Sequence, residues 1–325
     1  MAKVSVIVPV YNVEAYIEKC VRSLFGQTLD DIEYIFVDDC SSDNSIDILN
    51  SVLKEYPKRI AQTTIIFNEK NLGQGETRKK GILSATGEYV IHCDSDDWVE
   101  FDMYETMYRL SKESNADIVM CGLYKNFPNG KQIEMNMADD TDKYKAYVNL
   151  YTSRRMGSLC SHLVSRKIVQ AESIIWPDWS YTEDLALIFQ YVMNANKLAS
   201  VKRSLYHYRD NLQSISYKKF ETLYADILKT HSLIEEWCKE MNIWDKMLPY
   251  RLAGKFNQKA RKLGSVSGSD REAQNVWLST NPELGLVDLM RADLKVVSKL
   301  YAIILFMRLM PWVNKFINIR KRIWS

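Results

Sequence analysis

Two carboxylate clusters stand out in the first hundred residues, Asp94-Ser95-Asp96-Asp97 and Asp38-Asp39. The first follows Tyr89-Val90-Ile91-His92-Cys93, which reads as a buried strand. Three acids at the end of such a strand repel one another, and keeping them ionised is costly unless a cation or strong donors compensate. Hard divalent cations take oxygen ligands, and Mg²⁺ or Mn²⁺ typically binds one or two carboxylates together with the phosphates of a substrate. The cluster therefore points to a metal–diphosphate site. The plainer reading is that Asp96 or Asp97 caps the helix that follows. Asp38-Asp39 ends another apolar run, Ile32–Val37. One of that pair could accept a hydrogen bond from a nucleobase or ribose, or the pair could join Ser41, Ser42 and Asp43 in capping the next helix.

The elements that would position these groups alternate along the chain. Apolar runs at Val4–Val8, Ile32–Val37, Thr63–Phe67, Glu88–Cys93 and Asp117–Cys121 read as strands. Between them, Val13–Phe25, Ile46–Leu53, Gln74–Ser84 and Phe101–Glu113 carry helical spacing. This rhythm predicts an α/β fold, an open, largely parallel sheet covered by helices. Such sheets bind ligands beyond the carboxyl ends of their strands, so Pro9-Val10-Tyr11-Asn12 and both acid clusters should share one rim. The first strand–helix turn has no glycine, and Gly73-Gln74-Gly75 lacks the third glycine of a dinucleotide fingerprint. A dinucleotide cofactor is disfavoured, and no Walker A loop is present. Residues 125–160 read as polar and irregular. A helix is expected from about Asp184 to Ala195, with Asp184 a candidate N-cap, then a strand at Val201–Tyr208 and helices at Phe220–Lys239 and Ile243–Leu263.

The 325 residues are 46% apolar and 26% charged, an ordinary globular composition long enough for a sizeable core. The net charge of +2 implies no general attraction to nucleic acid. Its distribution is uneven: Leu294–Ser325 holds seven Lys or Arg and no acid, which leaves −5 for residues 1–293. Six scattered cysteines without a C-x-x-C pair read as reduced thiols of a cytoplasmic protein. The N-terminus reads as a first strand and not as a signal peptide. No apolar run reaches the roughly 18 residues of a membrane span.

Taken in order, the motifs become specific. Val4-Ser-Val-Ile-Val-Pro-Val-Tyr-Asn12, Phe36-Val-Asp-Asp-Cys-Ser-Ser-Asp43, Asn71-Leu-Gly73 with Arg78 and Gly81, and Gly87-Glu-Tyr-Val-Ile-His-Cys-Asp-Ser-Asp-Asp-Trp98 resemble the family 2 glycosyltransferases. So do Tyr181-Thr-Glu-Asp-Leu185, Leu205-Tyr-His-Tyr-Arg209 and Ser214-Ile-Ser216, which extends the resemblance over about residues 3–217. It implies a GT-A fold in residues 1–217, with a nucleotide-sugar half over about 1–122 and an acceptor half over about 123–217. Residues 218–325 would then form a helical extension with a basic amphipathic tail. The activity implied is transfer, with inversion, from a nucleotide-diphosphate sugar, a UDP-sugar foremost, and the cofactor implied is Mn²⁺ or Mg²⁺.

The same resemblance assigns residues. Pro9 and Tyr11 would line the nucleotide, Tyr11 against the base. Asp39 would accept from the base with Asp38 in support, Arg78 would help neutralise the nucleotide, Arg209 would lie on the diphosphate side, and Asp94 and Ser95 would also contact the nucleotide. Asp94 and Asp96 match the D-x-D pair around Ser95, with Asp96 or Asp97 the direct metal ligand and His207 a further candidate. Asp184 matches the catalytic base, with Glu183 beside it. His207, flanked by Tyr206 and Tyr208, reads equally as a packed histidine.

The chain departs from the family pattern at Cys40, where glycine is common, and at Thr77-Arg78-Lys79, which puts nucleotide and sugar specificity in question more than activity. Trp176, Trp179 and Tyr181 could stack against an acceptor sugar or belong to the core. From about Leu294 onward, basic residues interleave with Trp312, Phe316, Ile319, Ile323 and Trp324, the pattern of a helix lying in a membrane interface. The expected setting is therefore the cytoplasmic face of an anionic plasma membrane, with a glycan or lipid-linked oligosaccharide as acceptor. Two other classes compete: a nucleotide-sugar-binding scaffold without transfer activity, and a nucleotidyltransferase, whose usual Gly-rich basic loop after the first strand is missing here.

Overall fold

A computed structural model of the chain describes residues 2–135, 141–152, 158–211, 220–264 and 270–307. The chain divides into two compact units, 1–147 with 155–215, and 148–154 with 216–325.

The first unit runs β1 (Val4–Val10), α1 (Ile17–Phe25), β2 (Ile32–Asp38), α2 (Ser45–Lys54), α3 (Pro57–Ile60), β3 (Thr63–Phe67), α4 (Gln74–Ser84), β4 (Tyr89–His92), β5 (Trp98–Val99), α5 (Met103–Ser114), β6 (Ile118–Asn126), β7 (Gln132–Met135), α6 (Lys143–Tyr151, whose residues from 148 on are counted with the second unit), β8 (His162–Ser165), α7 (Arg166–Val169), α8 (Glu183–Asn194) and β9 (Leu198–Arg209). Among the described residues nine strands form one sheet in the order β3-β2-β1-β4-β8-β6-β9-β5, with β7 on β6. From β3 to β4 it is parallel. Beyond β4 it turns mixed, because β8 runs antiparallel to both neighbours while β6 and β9 run parallel.

β1 is buried along its whole length, which is why its sequence is apolar apart from Ser5, whose hydroxyl donates to Glu33. On one face Val4, Val6, Val8 and Val10 pack against α1 residues Ile17, Cys20, Val21, Leu24 and Phe25 in the main core. On the other face lies α4, a helix with little apolar character that buries Thr77, Arg78, Gly81 and Ile82. Gly81 is required there: a Cβ at that position would stand 2.4 Å from Ile7 Cγ2. The chain leaves β1 for β2 and β3 on one side and places β4 on the other, so the sheet's switch point lies between β1 and β4, where ligands bind in such sheets.

Three local expectations change. Residues 125–160 hold the end of β6, β7 and α6 where an irregular stretch was expected; Ala146, Tyr147, Leu150 and Tyr151 recur at helical spacing and are buried. Neither Ser42 nor Asp43 is the N-cap of α2. That residue is Asn44, and Asp43 instead accepts from Ser45 N and Glu14 N, tying two loops together. Neither Asp96 nor Asp97 caps a helix, because β5 intervenes before α5.

The second unit contains α9 (Phe220–Glu240), α10 (Leu248–Gly264), α11 (Asp270–Ser279), α12 (Leu286–Arg291) and α13 (Val296–Phe306). Its core gathers Leu252, Phe256, Trp277 and Leu289 around Tyr301, Ala302 and Leu305 of α13. The part of the basic tail up to Met307 is therefore built into this unit on one side, so a cut before Leu294 would remove core. Ser214-Ile-Ser216, most of the 264–270 loop and tail residues 308–325 lie outside the described residues.

Candidate active site

The site forms where β1, β2 and β4 end and α8 begins. Arg78 reaches it from the second turn of α4 and is 2% exposed. Its Nη2 donates to Asp94 Oδ1 at 2.7 Å, and its Nη1 donates to Glu183 Oε1 at 2.7 Å and Asp184 Oδ1 at 2.5 Å. Burial works against the guanidinium's charge, but Asp184, Asp94 and Glu183 outweigh it and hold Arg78 firmly protonated. Arg78 was expected to help neutralise the nucleotide; in the structure Nη1 and Nη2 both donate to these carboxylates.

Glu183 and Asp184 occupy the first turn of α8, where the helix dipole favours negative charge. Asp184 is not the N-cap. That position is Thr182, held at φ 66, a left-handed conformation rare for a β-branched residue. Burial, then the charge of Asp184, pushes the Glu183 carboxyl well above its ordinary range. Burial also raises Asp184, against the pull of Arg78.

Asp94 keeps Oδ2 free of hydrogen bonds from the described residues, since Arg78 and Gln74 both approach Oδ1. Asp96 is raised by burial, then by the charge of Asp94, and Asn211 Nδ2 approaches its Oδ2 at 3.4 Å. Asp97 behaves differently. It is 1% exposed, with Oδ1 accepting from Arg209 N at 2.6 Å and Oδ2 from the Tyr206 hydroxyl at 2.5 Å. Each oxygen accepts from β9, so Asp97 fastens the acidic turn to that strand. His207 is packed. Its ring stacks between Trp98 at 5.0 Å and Tyr124 at 4.9 Å, Nε2 pairs with Glu100 Oε1 at 2.8 Å, and Nδ1 lies 3.4 Å from Gln132 Nε2.

Among the described residues no group of three His, Cys, Asp or Glu stands ready to hold a metal alone. Asp94 and Asp96 nevertheless fit a Mg²⁺ or Mn²⁺ ion whose remaining ligands are phosphate and water oxygens: both are hard donors, and the burial that raises Asp96 is relieved by a cation.

The acids that follow β2 are also held in place. Asp39 Oδ1 accepts from Asn68 Nδ2 and Leu72 N, each at 2.8 Å, and its Oδ2 from Gly73 N at 2.9 Å. Asp39 thus shapes the 68–73 loop. Asp38 stands behind it, with its carboxylate near Ser41 N at 3.3 Å. Pro9 and Ser95 are buried, whereas Tyr11 at the end of β1 is 49% exposed. Cys40 has φ 65, which explains why glycine suits this position. Arg209 lies over the rings of Tyr16 at 4.9 Å and Trp98 at 5.0 Å, and its Nε donates to Asp96 O at 2.7 Å. Tyr16, Tyr206 and Asn68 were not anticipated; they show themselves only once strands far apart in sequence are paired.

Residues 5–171, just over half of the chain, match the family described as Glycosyl transferase family 2. The chain belongs to that family. EpsH of Bacillus subtilis (strain 168), which carries a glycosyltransferase name, is 36% identical over 256 residues, 74% of this family 2 chain and 73% of EpsH. The poly(ribitol-phosphate) beta-N-acetylglucosaminyltransferase TarS of Staphylococcus aureus (strain Mu50 / ATCC 700699) is 26% identical over 64% of this chain, a span covering 35% of TarS. The crystal structure of S. aureus TarS 1-349 in complex with UDP superposes with a TM-score of 0.65 at 17% identity, covering 95% of this chain and 88% of that one. The mannosyltransferase PcManGT from Pyrobaculum calidifontis, solved with GDP-Man and Mn²⁺, gives 0.52 at 14% identity, over 97% and 87%. At these identities the likeness establishes the fold, the GT-A fold that the motifs led us to expect.

Proposed function

We propose that this family 2 glycosyltransferase moves a sugar from a UDP-sugar to a glycan acceptor, with inversion, and that Asp184 is its general base. The observation that carries the reading is the Arg78 bridge, which fixes the base carboxylate of Asp184 and the donor-side carboxylate of Asp94 to one buried guanidinium.

The acceptor hydroxyl oxygen attacks the anomeric carbon from the face opposite the diphosphate. Its proton passes to Asp184 as the bond from that carbon to the diphosphate oxygen breaks. One displacement with one base inverts the centre. Arg78 aims Asp184 and offsets part of the burial that raises its carboxyl, and Glu183 accepts from the same guanidinium nitrogen. Asp94 and Asp96 would hold the divalent cation, which when bound would offset the charge developing on the diphosphate. Arg209, steadied by Tyr16, Trp98 and the Asp96 carbonyl, supplies further positive charge from the protein side. Tyr11 presents an exposed ring to the base, and Asp39 sets the loop that walls it. The UDP complex of TarS supports a uridine donor, and the surface-polymer substrate in that protein's name supports a glycan acceptor in cell-surface assembly. Among the described residues no helix is long and apolar enough to cross a membrane, and the basic C-terminal stretch supports a peripheral position on the inner, anionic face of the plasma membrane, next to a lipid-linked acceptor.

The test is a panel of nucleotide sugars scored for UDP or GDP release, with Mn²⁺, Mg²⁺ or EDTA. Release of UDP that needs the cation is the expected result. Tight donor binding without release under any condition would favour the scaffold alternative, and equal activity in EDTA would remove the metal from the scheme.

A further inference from the structure

We propose that Tyr206 is a positioning residue of the metal–diphosphate site: its buried hydroxyl spans the Asp94–Asp97 turn and sets the spacing at which Asp94 and Asp96 meet a divalent cation. The proposal rests on the metal reading given above and names what holds the two ligands in register.

Asp94, Ser95, Asp96 and Asp97 form one tight turn after β4, closed by Asp97 N donating to Asp94 O at 3.0 Å. A single hydroxyl bridges the two ends of that turn. The Tyr206 oxygen accepts from Asp94 N at 3.2 Å, and the hydroxyl donates to Asp97 Oδ2 at 2.5 Å. An amide N–H can only donate, so the oxygen accepts there and keeps its own proton for the carboxylate. Arg209, further along β9, completes the hold, with N on Asp97 Oδ1 at 2.6 Å and Nε on Asp96 O at 2.7 Å. All of these contacts come from β9, and none uses the carboxylate of Asp94 or Asp96. The turn is gripped by its backbone and by Asp97, which leaves the other two carboxylates outside the grip.

Tyr206 itself cannot follow the turn if the turn moves. It is buried in the main core, and its backbone is paired on both sides, with Val99 of β5 and Leu123 of β6. Without the hydroxyl, Asp94 N loses an acceptor and Asp97 Oδ2 a donor, and the ends of the turn are free to part. The mutual repulsion of Asp94, Asp96 and Asp97 pushes them that way. A small divalent cation such as Mg²⁺ is exacting about ligand placement, and groups that hold the ligands in position typically govern metal affinity by about tenfold to a hundredfold. A second tyrosine supplies the control. Tyr104 is buried in the same core, and its hydroxyl has no hydrogen-bond partner among the described residues, so Tyr104→Phe removes a buried hydroxyl that holds nothing.

The experiment uses the full chain and follows UDP binding by calorimetry over a series of Mn²⁺ concentrations and in EDTA, a readout that needs no acceptor and no turnover. Tyr206→Phe is expected to raise the Mn²⁺ required for half-maximal UDP binding about tenfold, with UDP affinity in EDTA within about twofold of wild type. Tyr104→Phe is expected to match wild type in both. A Tyr206→Phe protein that is less stable but keeps the wild-type Mn²⁺ requirement overturns the proposal and makes the hydroxyl a fold contact only. Equal weakening in EDTA and in Mn²⁺ also overturns it, because the nucleotide surface and not the placement of the cation's ligands is then disturbed. A wild type that binds UDP equally well in EDTA and in Mn²⁺ overturns the metal reading, and this proposal with it. Should Tyr206→Phe fail to fold, the double variant Tyr206→Phe with Asp97→Asn removes the buried charge left without its donor. A wild-type Mn²⁺ requirement in that double variant overturns the proposal, and an increase of about tenfold supports it.

Discussion

Asp94 and Asp184, far apart in the chain, are clamped to the two ends of one buried guanidinium, that of Arg78. The turn after β4 and the first turn of α8 are therefore tied to one cation. On the roles proposed above, with Asp184 as base and Asp94 toward the donor, that shared cation would set the spacing between base and leaving group before substrate arrives.

Asp184→Asn keeps an oxygen for Arg78 but cannot accept a proton. We expect UDP affinity within about twofold of wild type and transfer lowered about a hundredfold to ten-thousandfold, the usual cost of losing a general base. Isothermal calorimetry and a UDP-release assay separate the two. Near wild-type turnover would show that the base lies elsewhere.

Arg78→Met leaves Asp94, Glu183 and Asp184 facing one another without a cation. Breaking a buried charge cluster on one side costs about 3–5 kcal/mol, so the variant should unfold at lower temperature and lower denaturant. Arg78→Lys retains one charge but cannot donate in a fork, so it should fold better and still lose most activity. Full activity in the lysine variant would mean that charge alone matters.

His207→Gln should lower thermal stability, because the ring is stacked on two aromatic neighbours and paired with Glu100. It should leave the Mn²⁺ dependence of UDP binding unchanged. A tenfold or greater rise in the Mn²⁺ concentration required would place His207 in the ligand set.

Lys259, buried in the second unit, donates to the carbonyls of Thr280 and Asn281, and burial holds its pKa down to about 8. Lys259→Met orphans those carbonyls, and about 1–3 kcal/mol of stability should go. The sign of the pH effect follows from linkage. Between about pH 8 and 10.5 the unfolded chain holds a proton that the folded chain has released, so wild-type stability from this group rises with pH. The gap between wild type and variant in denaturant titrations should widen over that range, and a constant gap would contradict the assignment.

The parallel half of the fold was legible because β1, β2 and β4 are buried almost throughout and read as largely apolar runs, as in Val4–Val10 and Ile32–Asp38. β7 was not, because Gln132–Met135 is exposed along its length and carries no burial signal. At the site, residue types marked where acids gather but not what each one touches. Asp97 and Asp96 are neighbours in sequence, yet the pleat and the approach of β9 turn one into a buried anchor and leave the other near the rim. Arg78 could be recognised as important from its motif. Its allegiance to Asp184 depends on α8 meeting α4, a contact that no local pattern encodes.

Gly81 carries a consequence for how such an enzyme can diversify. With α4 seated directly on Ile7 and Val37, the helix bearing Arg78 has no slack: a methyl group at position 81 would press on Ile7 and push the helix from the sheet, shifting the guanidinium that Asp94 and Asp184 share. Substitutions that spare this spacing belong at exposed positions such as Leu72 and Tyr11, which the proposed function sets beside the nucleotide. A library aimed at a new donor should randomise those and leave the spine of α4 untouched.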